Sequence, residues 1–513
     1  MTTPPPTVAD AGGDTIAAIA TAVAPGQGSV AIVRLSGPQA EAIGRRLFAA
    51  PGHQPWESHR VLYGHVVDPA SAERVDEALL LLMRAPRSFT RETVVELHCH
   101  GGLVAVQRVL ELVLAAGARR ALPGEFSQRA FLSGRLDLTR AEAIGEMITA
   151  RSRRAAQLAM AGIDGGLQRR LTALRGRLLD QLAELEARVD FEEDLPPLDG
   201  AAVAAELAAV RGELERLVAE ARQGELLRQG LRVAIVGRPN VGKSSLLNLL
   251  SQREKAIVTD LPGTTRDLLE SELVLDGVPL TLIDTAGIRP TADPVERLGI
   301  ERSHQALAAA DVVLLLFDLA AGWSGEDAQL RSLVPHGVPL LLVGNKADLL
   351  EVTARPDAQP DHGEQPAPAR NAAAGIAEAA PAPSPDLDAS VRTTAEAGRS
   401  PQGAAAAEGL AAAVRISALR GDGREQLAAA LLRLCGAGDL EGLQVALNAR
   451  QRDLAAAAAT ALGASQEAAA QQLPWDFWTI DLREAVRRLG EISGEEVNEA
   501  VLDRVFARFC IGK

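Results

Sequence analysis

Gly237-Arg-Pro-Asn-Val-Gly-Lys-Ser244 constrains the fold more than any other stretch of the chain. It follows an apolar β-like run, Arg232–Val236, and leads into a helical run, Ser245–Leu250. A strand, a glycine-rich turn and a helix in that order curl consecutive backbone N–H groups around a phosphate, and the helix N-terminus adds positive potential. The G-x-x-x-x-G-K-[ST] pattern therefore predicts a phosphate-binding loop at the end of a strand, lined by Asn240, Val241, Gly242, Lys243, Ser244 and Ser245. Lys243 is expected to reach the β- and γ-phosphates of a nucleotide, and Ser244 to ligate Mg²⁺.

Further motifs follow in an order that chance does not supply. Asp284-Thr285-Ala286-Gly287 ends the apolar run Leu280–Ile283, placing a carboxylate near the Mg²⁺ and a glycine N–H near the γ-phosphate. Asn345-Lys346-Ala347-Asp348 follows the run Val338–Val343. Asp348 can accept two hydrogen bonds, from the N1–H and the amino group of guanine, and a site built for that pair rejects adenine because its acceptors would be left unpaired. Ser417-Ala418-Leu419, after Val414–Ile416, is expected to turn backbone N–H groups toward the guanine O6. Gly263-Thr-Thr-Arg-Asp267 lies between the first two motifs, where a switch loop supplies a Mg²⁺-ligating Thr. The set predicts a GTP-hydrolysing domain. The residue after the D-x-x-G motif, where some GTPases carry a water-orienting Gln, is Ile288, which cannot orient water. Either hydrolysis is slow, or another residue and another positive charge take that part.

The strand runs of this block alternate with helices, which predicts a mainly parallel sheet with helices on both faces. Residues 14–125 mix β-like runs (Val30–Leu35, Ala78–Met83, Thr93–Leu97) with a helical stretch, Leu103–Ala116, and read as α+β. Long helices rich in Ala, Leu, Glu and Arg run from about Thr139 to Gln229, broken at Asp194–Gly200, and helix returns from about 425 to 513. At roughly 150 residues per domain, 513 residues predict about three domains. We expect boundaries at 1–133, 134–228, 229–435 and 436–513, with the α/β domain inserted into one helical domain; two separate helical domains are the alternative. Residues 351–412 are dominated by Ala and Pro and contain no Phe, Trp or Tyr, which predicts a disordered insertion.

The longest strongly apolar stretch is Val312–Phe317, strand length, so no membrane span is expected. Met1-Thr-Thr-Pro-Pro-Pro6 lacks the basic start of a signal peptide, and Cys99, Cys435 and Cys510 are too few and too scattered for a disulfide framework; a cytoplasmic protein is expected. With 53 basic against 67 acidic side chains, the net charge of −14 excludes a protein that coats nucleic acid non-specifically but permits a local basic contact.

These motifs, read with Pro123-Gly-Glu-Phe-Ser-Gln-Arg-Ala-Phe131, Arg135-Leu-Asp-Leu138, Thr259-Asp-Leu-Pro-Gly-Thr-Thr-Arg-Asp267 and the terminal Phe509-Cys-Ile-Gly-Lys513, closely resemble the MnmE (TrmE) family of tRNA modification GTPases over nearly the whole chain. The resemblance implies a fold in which the GTPase domain interrupts a helical domain, preceded by a tetrahydrofolate-binding-like α+β domain that also carries a homodimer contact. It implies K⁺-stimulated GTP hydrolysis as GTPase domains meet across the nucleotide. Asn240, Thr259, Leu261 and Thr264 would hold the K⁺ and Thr265, with Ser244, the Mg²⁺; Asp260, Pro262 and Gly263 complete the nucleotide-binding loop. Glu296 would orient the attacking water indirectly, in place of the absent Gln. Arg34, Glu96, Arg135 and Lys513 match positions that contact a 5-formyl- or 5,10-methylene-tetrahydrofolate. The family often has Lys where Arg135 stands, so charge is kept while hydrogen-bond geometry differs. Cys510 matches a residue of the modification chemistry, as nucleophile or acid–base group. The implied partners are tRNA and the FAD-dependent MnmG (GidA) in a heterotetramer, FAD being bound on that partner alone, with neither DNA nor membrane. The implied reaction adds an aminomethyl or carboxymethylaminomethyl group to carbon 5 of the wobble uridine of certain tRNAs.

Read without the resemblance, Arg34 is more often a surface charge, Glu296 a solvated carboxylate and Cys510 a small buried hydrophobe. His98-Cys99-His100 puts two imidazoles on one face of a strand, but no second ligand cluster accompanies it, so His100 is expected beside the folate pocket rather than on a metal. A ribosome-assembly GTPase would explain residues 231–435 equally well and leave the N-terminus and the tail unexplained; a folate-binding regulatory protein is the third reading.

Overall fold

The computed structural model describes residues 13–24, 28–191, 196–251, 270–284, 307–353, 413–436 and 442–512. The chain forms two units: Met1–Gly230 with Gly277–Pro279 and Asp439–Lys513, and Leu231–Asp276 with Leu280–Gly438.

In the first unit, alternation of period two builds a sheet from β1 (Ile16–Ile19), β2 (Val30–Ser36), β3 (Phe48–Ala49), β4 (Arg60–Val67), β5 (Arg74–Met83), β6 (Val94–His100) and β7 (Arg119–Arg120). Helices α1 (Ala40–Leu47) and α2 (Leu103–Ala115) lie between strands in sequence. The strand order is β3-β4-β5-β6-β2-β1-β7, antiparallel except between β1 and β7. Ala31, Val33 and Leu35 of β2, Leu80 and Leu82 of β5, and Val95, Leu97 and Cys99 of β6 share one core with α1 and α2 residues such as Ile43 and Val109. The opposite face carries Arg34 directly across from Glu96, and Ile32 across from His98. The sequence signals β2, β6, the second half of β5 and α2. It does not signal β1, whose Ile-Ala-Ala-Ile has no alternation, nor β4, interrupted by Gly64.

Five helices follow: α3 (Glu125–Leu132), α4 (Leu138–Thr149), α5 (Arg153–Ile163), α6 (Gly166–Phe191) and α7 (Gly200–Gln229). Asp199 starts α7 by accepting the Ala202 N–H, the usual carboxylate remedy for an orphan donor at a helix start.

The second unit holds β8 (Leu231–Gly237), α8 (Lys243–Ser251), β9 (Glu270–Leu275), β10 (Val278–Asp284, from Leu280 on), β11 (Val312–Asp318), α9 (Gly325–Ser332), β12 (Leu340–Asn345), α10 (Ala347–Thr353), β13 (Val414–Arg415) and α11 (Arg424–Leu434). The strand order is β13-β12-β11-β8-β10-β9, and β10, β8, β11, β12 and β13 run parallel. Val312–Phe317 is wholly buried, as a strand covered on both faces must be. The strand expected at 338–343 runs two residues later, because Pro339 cannot donate to a ladder. Helix α10 continues to Thr353, into the stretch expected to be disordered from 351; residues 354–412 lie outside the described residues.

Past this unit the chain returns to the first with α12 (Ala449–Ala470), α13 (Trp475–Ser493) and α14 (Glu499–Phe506). Leucines of α6 and α7 (Leu171, Leu178, Leu207, Leu214) share a core with Leu462 of α12 and Leu482 and Leu489 of α13. Segments far apart in the chain thus complete one helical bundle. Polar staples join it: Arg450 forks onto Glu142 at 2.7 and 2.8 Å, and Arg228 pairs with Glu146 at 2.8 Å while donating to the Ala446 and Leu447 carbonyls. Burial, reinforced by Glu142, pushes the Glu146 carboxyl up, against the opposing pull of Arg228. Among the described residues no helix is long and apolar enough to cross a membrane.

Two glycines of α7 predict opposite responses. A Cβ at Gly224 would lie 2.2 Å from Ala446 Cβ, whereas one at Gly212 meets nothing within 4 Å. Gly224→Leu should destabilise the bundle by about 1–3 kcal/mol, and Gly212→Ala should stabilise it by roughly 0.5–1 kcal/mol. Chemical denaturation followed by circular dichroism separates the two.

Candidate functional site

The phosphate-loop residues leave β8 at its C-terminal end and enter α8 at Lys243. Asn240 and Gly242 take positive φ, +62° and +99°, which turns the backbone over itself. Only glycine fits at 242, where a Cβ would come within 2.2 Å of Asn345 Nδ2. Lys243 Nζ donates to the carbonyls of Gly237 at 2.8 Å and Arg238 at 3.0 Å, which fixes the ammonium at the loop. Asn240, Ser244 and Ser245 lie at the surface or partly so, Val241 is buried, and Asp284 closes β10 in register with Ile235 of β8. An accessible Ser hydroxyl and Asn amide beside a lysine are hard oxygen and cation donors of the kind that suits a nucleotide with Mg²⁺.

Asn345 ties the base end to the phosphate end. Its side chain, 3% exposed, donates from Nδ2 to the Val241 carbonyl at 2.8 Å and accepts the Ala418 N–H on Oδ1 at 2.9 Å. Asp348 accepts the Ser417 hydroxyl at 2.7 Å on Oδ1, which fixes its carboxylate. Lys346, at φ +65°, reaches Asp318 at 2.6 Å. Burial would raise the Asp318 carboxyl, but the Lys346 ammonium and the Ala320 and Ala321 N–H groups hold it below the usual range. Ala347 N–H donates to the Ile416 carbonyl. The Ser417–Leu419 loop differs from expectation: the Ser417 and Ala418 N–H groups are committed to Asp422 O and Asn345 Oδ1. Leu419, 87% exposed, keeps the one N–H of the three without a described partner.

A second support is absent from the sequence reading. Asp327, with 0% exposure, accepts Arg238 Nε at 2.9 Å on one oxygen and the Ser324 N–H and hydroxyl at 2.9 and 2.8 Å on the other. Ser324 and Asp327 form a capping box at the start of α9, so the phosphate loop is clamped to a helix N-terminus. The Ser-x-x-Asp spacing was the available signal.

Of the remaining predicted residues of this site, Thr259, Asp260, Leu261, Pro262, Gly263, Thr264, Thr265, Thr285, Ala286, Gly287 and Glu296 lie outside the described residues, as does Lys513.

On the first unit, Arg34 and Glu96 face each other across β2 and β6 with Arg34 Nε 2.8 Å from the carboxylate. Arg34 Nη1 also donates to the Gly512 carbonyl at 3.2 Å, which brings the C-terminal segment to the sheet. Burial would raise the Glu96 carboxyl, but the hydrogen bond with His98 at 3.1 Å and the Arg34 guanidinium together hold it below the usual range. His98, not His100, is therefore the imidazole beside this pair. His100 sits at the strand end, mostly exposed, with its ring 2.6 Å from Asp76, because register places it opposite Val30, four residues from Arg34. Arg34 stacks over Phe126 at 5.7 Å, and Arg135 over Phe89 at 5.3 Å. Phe89 and Phe126 belong to one apolar cluster, so two guanidiniums flank a shared aromatic floor. Cations, a carboxylate and ring faces are the donor set that a pteridine carrying a carboxylate tail requires. Cys99 is buried, its thiol pushed up to about 12 by that burial, and is inert as a nucleophile; Cys510 is exposed.

Beneath this site lies a charged knot. Arg129, 6% exposed, meets Asp14 at 2.6 Å, Glu92 at 3.1 Å and Glu125 at 3.1 Å, while Arg119 meets Asp14 and Glu125 at 2.7 and 2.6 Å. Ser36 Oγ bonds Thr90 and Glu92. The knot fixes the 123–131 motif against β2.

Residues 15–135 match the family described as GTP-binding protein TrmE N-terminus, and residues 138–510 match the MnmE helical domain. Curated relatives include a tRNA modification GTPase MnmE of Synechococcus sp. (strain RCC307), 65% identical over 98% of this chain and 98% of the relative. Another, from Prochlorococcus marinus (strain MIT 9313), carries the same description and is 63% identical over 97% of this chain and 98% of its own length. Among solved structures, Aquifex aeolicus Era bound to GDP and aluminium fluoride is 22% identical over 45% of this chain and 66% of that one, at a TM-score of 0.25, too slight a likeness to bear on function.

Asp327→Ala leaves a guanidinium facing a cavity, and removing one partner of a buried pair costs about 3–5 kcal/mol. The unfolding transition of the nucleotide-binding unit should fall accordingly, while Asp327→Asn, which keeps the capping geometry, should lose less; thermal denaturation of both variants checks this.

Proposed function

Because the chain belongs to the MnmE family of tRNA modification GTPases, we propose that it hydrolyses GTP to GDP and phosphate in order to drive a modification at carbon 5 of the wobble uridine of certain tRNAs. That it is a GTP hydrolase follows from the family. The observation that carries the reading of the site is the Asn345 bridge, which holds the phosphate loop and the base-recognition loop as one receptor.

Each residue then has a part. Lys243 neutralises charge on the β- and γ-phosphates, and Asp348, held by Ser417, accepts the guanine N1–H and amino group. Ser244 and Thr265 would hold Mg²⁺, which supplies charge neutralisation between the phosphates when bound. Asn240, Thr259, Leu261 and Thr264 would hold K⁺, which supplies the positive charge that other GTPases draw from an arginine. Glu296 orients the attacking water indirectly, where Ile288 cannot. Arg34, Glu96, Arg135 and Lys513 bind a 5-formyl- or 5,10-methylene-tetrahydrofolate as one-carbon donor, and Cys510 stands at that site. The working boundaries are 1–133 for the folate-binding and dimerisation domain, 134–228 and 436–513 for the helical domain, and 229–435 for the GTPase domain.

The functional assembly in this reading is a cytoplasmic homodimer joined by the FAD-dependent MnmG, which supplies the redox chemistry and shares the tRNA contact. The sheet face that leaves Val30, Val61, Tyr63 and Leu79 exposed supports a dimer contact on the N-terminal domain. A ribosome-assembly switch would have no use for a C-terminal tail fixed to a folate-type sheet.

GTP turnover should be much faster in K⁺ than in Na⁺ at equal ionic strength; equal rates in both salts would sink the cation assignment. Mass spectrometry of wobble uridines from a strain lacking the protein should show loss of the carbon-5 aminomethyl and carboxymethylaminomethyl groups, and unchanged nucleosides would defeat the tRNA reading.

A further inference from the structure

The end of α14 and the segment after it are held at three points, two at the start of α3 and one on β2. Gly124 has φ +69°, and a Cβ there would lie 2.4 Å from the Phe506 carbonyl, so the backbones touch. The Gly124 N–H points to the Cys510 carbonyl at 3.4 Å, and Arg34 donates to the Gly512 carbonyl. Phe506 and Phe509, with ring centroids 5.4 Å apart, pack with Leu138 and Ala141 in an apolar cluster. The inner side of the segment is therefore committed.

The outer side is different. Arg504, Arg508, Cys510 and Ile511 are exposed. Neither the Arg504 nor the Arg508 side chain makes a hydrogen bond or ion pair with another described residue. Arginines of the preceding helix do the opposite: Arg483 pairs with Glu186, and Arg487 and Arg488 pair with Glu484. The acid next to Arg504, Asp503, accepts from Gln128 Nε2 at 3.4 Å. Two guanidiniums with no partner among the described residues thus stand four positions apart, Arg504 on α14 and Arg508 in the turn just past it, on a backbone tied down around Gly124 and Gly512, in a chain whose net charge is −14.

We propose that Arg504 and Arg508 are a phosphate contact for tRNA that holds the RNA backbone beside Cys510 and the Arg34–Glu96 pair. The proposal rests on the tRNA reading above. Guanidinium forks match phosphate oxygens, and a fixed backbone makes the contact a positioning one as well as an attractive one. Away from such a strip the acidic surface repels RNA, so the strip selects where the RNA lies.

The test uses the full chain and an unmodified transcript of a tRNA with a wobble uridine. Arg504→Glu/Arg508→Glu should weaken binding roughly tenfold or more at low salt and reduce the salt slope of log K by about two, one for each phosphate that is no longer neutralised. The control, Arg222→Glu/Arg331→Glu, changes net charge equally at exposed arginines elsewhere and should move neither quantity appreciably. Arg504→Gln/Arg508→Gln, which adds no repulsion, should fall between wild type and the Glu variant. Equal affinity and slope in wild type and the Glu variant overturn the proposal, as does an equal loss in the control pair. Displacement of RNA by polyglutamate as readily as by unlabelled transcript would assign the strip to an acidic protein segment instead. A wild-type chain that retains no transcript at all would defeat the tRNA reading together with the proposal, which distinguishes that failure from failure of the strip alone.

Discussion

Asn345 commits both ends of one side-chain amide to backbone, the Val241 carbonyl on one side and the Ala418 N–H on the other. Those groups belong to loops that leave β8 and β13, which are separated in the sheet by β11 and β12. A nucleotide spans that distance, with phosphates at one end and base at the other. Unless the two loops keep a fixed separation, tight phosphate binding and base selection cannot reinforce each other. A buried amide satisfied at both ends is suited to the task, since breaking either bond leaves an unpaired polar group away from water. Gly242 belongs to the same device, because any side chain there would strike the amide that the loop must meet.

The Arg238–Asp327 clamp extends this rigidity outward. The Arg238 carbonyl receives the Lys243 ammonium while its side chain is locked to α9, so the position of the positive charge depends on a helix that lies outside the motif. The first unit solves a similar problem by another route. Its tail is drawn to the sheet by Arg34, whose guanidinium is shared between Glu96 and Gly512, and the aromatic floor beneath is braced by the knot around Arg129. In both units a cation meets backbone carbonyl oxygen, Lys243 at Gly237 and Arg238 and Arg34 at Gly512.

What could be read from the chain alone followed the same division. Spacing revealed the phosphate loop and the guanine motifs, because a phosphate must meet consecutive N–H groups and a base must meet a fixed carboxylate, which leaves little freedom in residue type. The parallel sheet was visible as fully apolar runs, most clearly in Val312–Phe317. Residues whose part depends on three-dimensional register were not visible. Nothing local in Asp327 signals that it meets Arg238, 89 residues away. His98 touches Glu96 because the two, two residues apart, share one face of β6, but only the pairing of β6 with β2 brings Arg34 to that face. β1 and β7, four and two residues long, carry too little pattern to be read at all. The Arg34 and Arg135 assignments came from resemblance, and what the structure adds is that both rest against one aromatic cluster.

The choice of cation makes a last connection between sequence and site. Only four of the 53 basic residues are lysines: Lys243, Lys255, Lys346 and Lys513. Elsewhere the chain uses arginine, whose planar fork suits the many carboxylate pairs of the helical bundle, such as Arg450 with Glu142. Lys243 donates from a single ammonium to two carbonyls of its own loop at 2.8 and 3.0 Å, a convergence on one nitrogen that suits a compact ammonium. Lys346 reaches Asp318 at a single 2.6 Å contact from a left-handed backbone, again a point charge on a flexible stem. Arg135 donates to the Ser88 carbonyl and lies over Phe89, a geometry that suits the planar guanidinium through stacking. Both described lysines thus act as single point charges, and both sit on the loops that the Asn345 side chain ties together.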